Sequence, residues 1–415
     1  MDSPSSVFSA AAARYNPGVS SIQGLIYTPA ISRNDRGMPS ELGLYIHLPF
    51  CASRCPYCDF FALPWQAGSA RRLLKALHIH LERMAPLADG RRLASLYLGG
   101  GTPSMWPVRD LAGLMEAVQR LIGIEPGAEI SLEANPGALS AAKLSALRRA
   151  GVNRLSLGAQ SFSPDLLSAL GRRHTPAQTQ RAFAQAREAG FGNISLDLIQ
   201  GLPGQSPDLA AKDVREALDL EPDHLSLYEL TLSPETPFGL QYVKGKPPLP
   251  SEEQMAEMEE RSLELIRDAG LARYEVSNFA RPGKECRHNQ ATWRGADYLA
   301  LGPAAHGHLG GARWAWLADS EAYAQTVERG REPIAFREEL SPKSRGLELF
   351  MLGLRTTEGV DLAAVDSLLD GGLEREWGRA LAAVQTKGWA RLSEHRLIPT
   401  QKGLAMADAA AALFA

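Results

Sequence analysis

The sequence predicts an α/β protein: a partial (β/α)6, TIM-like barrel followed by a small helical, winged-helix-like C-terminal domain. Short apolar strands alternate with amphipathic helical stretches from residue 43 to about residue 230. The polar and glycine-rich motifs gather where those strands end, the rim on which such barrels build their sites. Beyond residue 335 the pattern changes to helices around one strand pair.

Residues 1–41 are rich in Ser, Ala, Pro and Gly and weakly periodic, and are expected to be a disordered extension. Met38, just before the first convincing strand, is an alternative start; a Ser-rich, acid-poor organelle transit peptide is the other reading. Residues 42–235 form the expected barrel, with strands at 43–48, 93–98, 129–133, 154–158, 194–199 and 224–230. Helices are expected at 71–85, 108–121, 140–150, 176–189 and 208–220, and Gly123, Gly151 and Gly190 supply left-handed stops for several of them. Residues 236–335, with Pro247-Pro248 and a charged helix at 252–268, are expected to cap the barrel. In the final segment, 336–415, residues 391–399 read as a strand pair turning near Glu394-His395, and 401–414 as an Ala-rich helix. The helix at 374–385 is mixed in charge, which argues against DNA recognition and for a lid or docking role.

The chain of 415 residues is 45% hydrophobic and 22% charged, the balance of an ordinary globular protein. A net charge of -3 gives no electrostatic case for nucleic acid as a partner. There is no apolar run long enough to span a bilayer and no apolar core of a secretory signal. Four cysteines in so long a chain fit a reducing compartment, so a cytoplasmic location is expected, with membrane contact only through a partner.

Three of those cysteines, Cys51, Cys55 and Cys58, are spaced C-x3-C-x2-C on one loop after the first strand. A disulfide would leave one thiol over, and tetrahedral zinc wants a fourth ligand, usually from a second cysteine pair that this chain lacks. Three thiolates hold three irons of a four-iron cluster and leave the fourth iron open to a small molecule. S-adenosylmethionine chelates such an iron through its amino and carboxylate groups. It then needs close backbone approach, a carboxylate and a cation. Gly99-Gly100-Gly101, one strand away, allows the approach. Glu133 and Asp197 interrupt apolar strands near their ends, where an acid without a partner is costly. Arg172 is a candidate cation, with Arg173 beside it equally plain from composition.

These residues carry a family resemblance. Gly43-Leu44-Tyr45-Ile46-His47-Leu48-Pro49-Phe50-Cys51, the cysteine triad, 99–103, Leu157-Gly158-Ala159-Gln160-Ser161-Phe162 and Asp197-Leu198-Ile199-Gln200-Gly201-Leu202-Pro203 resemble the radical S-adenosylmethionine (radical SAM) proteins of the oxygen-independent coproporphyrinogen III oxidase group. The likeness runs from about residue 42 to the end, and within the group it is to the HemW-type heme chaperones. Phe60 stands where the oxidases carry an extra cysteine, and Arg287-His288-Asn289-Gln290-Ala291-Thr292-Trp293 is similar to the chaperones' H-N-x-x-Y-W motif, with Thr292 in place of Tyr.

The resemblance implies a 4Fe-4S cluster on Cys51, Cys55 and Cys58. It implies S-adenosylmethionine contacts at Tyr45, Tyr57, Gly100, Gly101, Thr102, Glu133, Gln160, Arg172 and Asp197. Heme candidates are His288, Asn289 and Trp293, with Cys286 as an alternative thiolate ligand; neutral imidazole is a standard proximal ligand of heme. His306 and His308 are weaker candidates, and His47 is expected to be structural. The implied partners are heme, a heme-acceptor protein and a low-potential electron donor. The implied function is binding heme and delivering it; the alternative is radical oxidative decarboxylation of coproporphyrinogen III propionates. Fold alone does not separate the two.

Overall fold

The computed structural model describes residues 41–242 and 249–415, so the N-terminal extension with Met38, and Pro247-Pro248, lie outside the described residues. Six strands, β1 Leu42–Leu48, β2 Leu93–Gly100, β3 Ile124–Ala134, β4 Arg154–Gln160, β5 Ile194–Gln200 and β6 His224–Glu229, pair in parallel in sequence order. Helices α1 Ala67–Met84, α2 Val108–Leu121, α3 Ala141–Arg149, α4 Pro164–Ala169, α5 Pro176–Glu188 and α6 Pro207–Leu218 make the crossovers. Their starts are capped as the sequence directs. Thr175 and Gln178 form a reciprocal capping box on α5, and the Ser206 side chain accepts from Leu209 N–H on α6.

The alternation of residues along each strand builds both the core and the site. Leu44, Ile46 and Leu48 on β1, Leu96 and Leu98 on β2, Leu155 and Leu157 on β4, and Leu196 and Leu198 on β5 are buried in one large core with the helices. Each such leucine contributes roughly 1.5–3 kcal/mol. The intervening positions carry the residues of the other face, described below.

Past Pro237–Tyr242 (α7) and Glu252–Asp268 (α8), the chain returns to both edges of the sheet. Beyond β6, β7 Ala272–Arg273 and β8 Asn278–Ala280 add antiparallel. After helix α9 Arg287–Trp293, strand β9 Asp297–Leu301 joins the opposite edge parallel to β1, pairing Tyr45 with Ala300. Strands β10 His306–Leu309, β11 Ala312–Trp316 and β12 Ile334–Glu339 continue it antiparallel. The result is an open sheet of twelve strands with seven parallel at its centre. The sequence reading stops at six parallel strands and makes 236–335 a cap. The seventh, β9, is entered from the short helix α9 and left by an antiparallel pair, so no strand–helix unit announces it.

The C-terminal domain has its own core. Phe350 on α10 Pro342–Gly353 stacks on Phe414 with ring centroids 3.9 Å apart, and the Trp377 indole N–H donates to the Phe414 carbonyl. The hairpin Ala390–Ser393 and Arg396–Pro399 turns at Glu394, whose φ is 52°. The Ala-rich stretch is two helices, Gln401–Ala405 and Ala407–Ala412, because Met406 leaves helical geometry at φ -113° and ψ 22°. The domain docks on the barrel through 274–277: Val276 N–H donates to the Arg355 carbonyl and Thr357 N–H to that of Tyr274.

Candidate cluster and cofactor site

On the face of the strands away from the leucines, the residues are almost all polar, small or aromatic. From the N-terminal end to the rim they read Gly43, Tyr45, His47 on β1; Ser95, Tyr97, Gly99 on β2; Glu129, Ser131, Glu133 on β3. They continue as Arg154, Ser156, Gly158, Gln160 on β4; Ser195, Asp197 on β5; and His224, Ser226, Tyr228 on β6. A TIM barrel fills this space with branched aliphatic layers. Here it is a polar lumen with a rim and a floor.

At the rim, parallel pairing sets His47 beside Gly99 and Leu48 beside Gly100, so the cysteine loop and the glycine turn leave the sheet together. The loop is tied at its base by Leu63 N–H to the Pro49 carbonyl and Trp65 N–H to the Cys51 carbonyl, both at 2.8 Å. Inside it, Cys58 N–H donates to the Cys55 carbonyl. Gly101 packs so tightly that a Cβ would lie 2.5 Å from the Pro49 carbonyl carbon. The His47 imidazole fills the space under Gly100, where a Cβ would meet the ring at 2.6 Å. His47 Nε2 donates to the Phe61 carbonyl, so Nδ1 is the acceptor for the Tyr45 hydroxyl. Burial lowers this imidazole to about 4 and keeps it neutral.

The three cysteines are half-buried free thiols. The Thr102 hydroxyl donates to Cys51 Sγ at 3.3 Å, and Arg172 Nη1 donates to Cys55 Sγ at 3.6 Å. Cys51 feels the charge of Cys55, and Cys58 that of both other thiols, yet among the described residues no three Cys, His, Asp or Glu side chains converge as a single-ion site requires. Neighbouring but unconverged thiols, each held by a different donor, fit a cluster that places its irons apart. Burial pushes Cys58 up to about 11, so the free thiol keeps its proton, which an iron held there would have to displace.

The carboxylates follow on the next strands. Glu133 accepts from the Tyr97 hydroxyl and from Gly100 N–H, both at 3.0 Å, and burial raises it to about 7. Asp197 accepts from Ser156 Oγ at 2.8 Å and Ser195 Oγ at 3.0 Å, and burial raises it too. Arg172 Nη2 donates to the Gly158 carbonyl, while Arg173 is exposed; the glycine makes room for both Arg172 and Gln160. Gln160 holds a left-handed φ of 67°, uncommon for its type and found where a side chain is being aimed. Tyr57 packs on Phe238 of α7, whose N–H donates to the Pro56 carbonyl. Of the expected contacts, Thr102 and Arg172 touch the thiols, Tyr57 and Glu133 lie within their electrostatic reach, and Gly100 and Gln160 border Glu133 and Arg172, whereas Asp197 is tied deeper to Ser156 and Ser195.

The H-N-x-x-x-W segment lies elsewhere. Glu129, at the floor end of β3, accepts Arg287 N–H at 2.9 Å, His288 N–H at 3.2 Å and the Cys286 thiol at 3.4 Å, fixing the start of α9. His288 Nδ1 shares a 2.9 Å hydrogen bond with Ser95 Oγ, and its ring packs on Tyr97 at 5.3 Å. Burial lowers it to about 4. Cys286 is fully buried, and Asn289 and Trp293 are half-buried. Thr292 donates to the His288 carbonyl within the helix. His288 and its alternative Cys286, the candidate heme ligands, both sit at the barrel floor, where Glu129 draws the helix start inward.

Sequence reasoning missed His47's bonds, Tyr97, the serines around Asp197, and the floor set of Glu129 and Arg154, the latter buried with Nε unpartnered. The signal was present as polar residues at every second strand position.

Residues 45–217 match the Radical SAM superfamily, and residues 340–406 the HemN C-terminal domain. The structure resembles that of coproporphyrinogen III oxidase (HemN) from Escherichia coli, a radical SAM enzyme, with a TM-score of 0.80 over 90% of each chain at 25% identity. Fold and site together therefore define a radical SAM protein with a HemN-type C-terminal domain. The chain is 36% identical over 376 residues to heme chaperone HemW of Mycobacterium tuberculosis, covering 90% of this chain and 94% of that one. It is 40% identical over 271 residues to heme chaperone HemW of Escherichia coli, covering 65% and 70%. The chain belongs to the HemW family of radical SAM proteins.

Proposed function

We propose that this protein is a heme chaperone: it binds heme and passes it to an acceptor protein. The observation that carries the proposal is the identity, over nearly the whole chain, with relatives that bear that name. Phe60 supports it. Two residues after Cys58 it is 66% exposed, an apolar side chain at the rim where the resembling oxidases have a cysteine.

The site residues fit a 4Fe-4S cluster on Cys51, Cys55 and Cys58, with S-adenosylmethionine in the rim. The cluster, when bound, supplies an open iron for that molecule's amino and carboxylate groups and accepts an electron from a low-potential donor. The chain's own residues do the rest. Gly100 and Gly101 let the backbone approach, Glu133 and Asp197 accept from amino or hydroxyl groups, and Arg172 brings positive charge to the thiols and to a carboxylate. Tyr45 and Tyr57 wall the site with aromatic surface.

Among the described residues no helix is long and apolar enough to cross a membrane, so a membrane-bound destination for heme would be reached through the acceptor. The test is transfer itself. Heme-loaded protein is mixed with an apo form of a heme-binding acceptor and the two are separated. Heme that moves to the acceptor faster than it dissociates into buffer supports the proposal; transfer no faster than free release would remove it.

A further inference from the structure

A cavity of about 380 Å³ opens between helices α4 and α5, large enough for a small molecule. Its polar lining is Arg172, Arg173 and His174 with the hydroxyl residues Ser168 and Thr175, and Leu167 supplies apolar wall. Among the described residues no acid lines it. The segment that carries the basic side chains passes close to the cysteine loop. Gly171 holds a left-handed φ of 68°, and a Cβ there would lie 2.7 Å from Pro56 Cδ. The cavity adjoins the rim without being part of it: of its lining residues, Arg172 is the one that also touches a cluster thiol.

Three features give this cavity a positive character. Arg173 is exposed and makes no hydrogen bond or ion pair among the described residues. Arg172 donates from Nη1 to Cys55 Sγ and from Nη2 to the Gly158 carbonyl, while its Nε is sealed from solvent without a partner. Two adjacent guanidinium groups with no carboxylate beside them repel each other, and an anion between them relieves that repulsion. The third feature is the start of α5 at Pro176, on the cavity's edge. That helix runs thirteen residues, and its dipole adds positive charge at this end.

His174 narrows the chemistry. It is 4% exposed, and its Nε2 donates to the Ala159 carbonyl at 3.0 Å. Burial and the charge of Arg172 lower it to about 4, so the ring is neutral and Nδ1 keeps a lone pair. That nitrogen is buried without a partner, which is costly and marks a missing donor. A bare oxyanion would set its own lone pairs against Nδ1. An oxyanion that carries an O–H would donate to it. Hydrogen phosphate has such a proton at neutral pH, and sulfate has none.

We propose that the cavity binds a phosphate group accompanied by a hydroxyl, as hydrogen phosphate or as a hydroxyl-bearing phosphate ester. Arg172 and Arg173 take the charged oxygens, and His174 Nδ1 accepts the O–H. The remaining volume, walled by Leu167, leaves room for the organic part of an ester. The site does not depend on the heme-chaperone reading, and its occupant lies one side chain, Arg172, from the cluster thiols.

The test is equilibrium dialysis of the cluster-loaded full chain, in a buffer free of these anions, against phosphate, glycerol phosphate and sulfate. The wild type should take up one phosphate per chain and hold sulfate about tenfold or more weakly. Arg173→Ala should weaken phosphate about tenfold or more. His174→Phe keeps a ring but no acceptor, and should lose the preference for phosphate over sulfate. Arg173 is on the surface, so its variant tests the site even where that of the buried His174 does not fold. Glycerol phosphate bound more tightly than phosphate identifies the occupant as an ester, and the reverse identifies it as the free ion; either supports the site. No uptake by the wild type, sulfate held as tightly as phosphate, or phosphate uptake undiminished in Arg173→Ala would overturn it.

Discussion

His47 Nε2 donates to the carbonyl oxygen of Phe61 at 2.8 Å, so a residue of β1 holds the far end of the loop that carries all three clustered cysteines. With the Tyr45 hydroxyl on its other nitrogen and Gly100 above it, this imidazole joins the loop, the strand and the glycine turn.

His47→Ala removes both hydrogen bonds, each worth about 1 kcal/mol, and opens a cavity below Gly100. The variant should fold but hold less cluster: iron and inorganic sulfide per chain after anaerobic reconstitution should fall, and what remains should decay faster. Wild-type iron and sulfide with unchanged decay would show the clamp to be dispensable.

A methyl group at Gly101 meets Pro49 and Phe50 backbone atoms, which cannot swing aside as a side chain would. Gly101→Ala should therefore displace the glycine turn and cost both cluster incorporation and thermal stability. Gly113→Ala is the matched control, because it lies inside α2 with nothing within 4 Å of its added Cβ. It should gain about 0.5–1 kcal/mol from helix propensity. Similar melting temperatures for the two variants would contradict the packing described at the rim.

Arg172 touches Cys55 Sγ and the Gly158 carbonyl, whereas its neighbour Arg173 faces solvent. Removing a charge-assisted contact costs about 1.5–3 kcal/mol, or roughly 10- to 100-fold in affinity. Arg172→Ala should weaken S-adenosylmethionine binding by that range in equilibrium dialysis of the cluster-loaded protein, and Arg173→Ala should leave it unchanged. Equal effects of the two would withdraw Arg172 from the site.

The buried His288 should give stability a distinct pH dependence. Its folded value of about 4 lies below the ordinary 6.5, so the unfolded chain takes up a proton there that the native state refuses. Its contribution is complete above pH 6.5 and is lost as pH falls toward 4. Glutamine at that position, in His288→Gln, does not titrate in this range. The stability difference between wild type and variant, from urea melts of the cluster-free proteins, should shrink by about 2 kcal/mol between pH 7 and pH 5. A difference that stays constant or grows would mean that His288 is hydrated and not sealed in the floor.

Much of this organisation is legible in the sequence because the motifs are local. C-x3-C-x2-C, the glycine run and the acid of β3 fall at strand ends, so recognising the strands places them on one rim, whereas Asp197 sits in the middle of β5. The seventh parallel strand was not legible, since β9 pairs with β1 across more than 250 residues and has no helix after it to mark a crossover. The lumen was half legible: Ser95, Tyr97 and Gly99 alternate with leucines, but the contacts of Glu133 with Tyr97 and Gly100 depend on register. The place of His288 was not legible at all. Its motif marks the helix, while its direction is set by Glu129, 159 residues earlier in the chain.

The central claim is that this radical SAM protein handles finished heme. It is tested most directly by reconstituting the cluster without oxygen and dividing one sample. One half is titrated with heme; the other receives coproporphyrinogen III, S-adenosylmethionine and a low-potential reductant. Stoichiometric heme uptake with the coproporphyrinogen carboxylates intact is the result this account predicts. Loss of those carboxylates over repeated turnovers, with no heme retained, would contradict it.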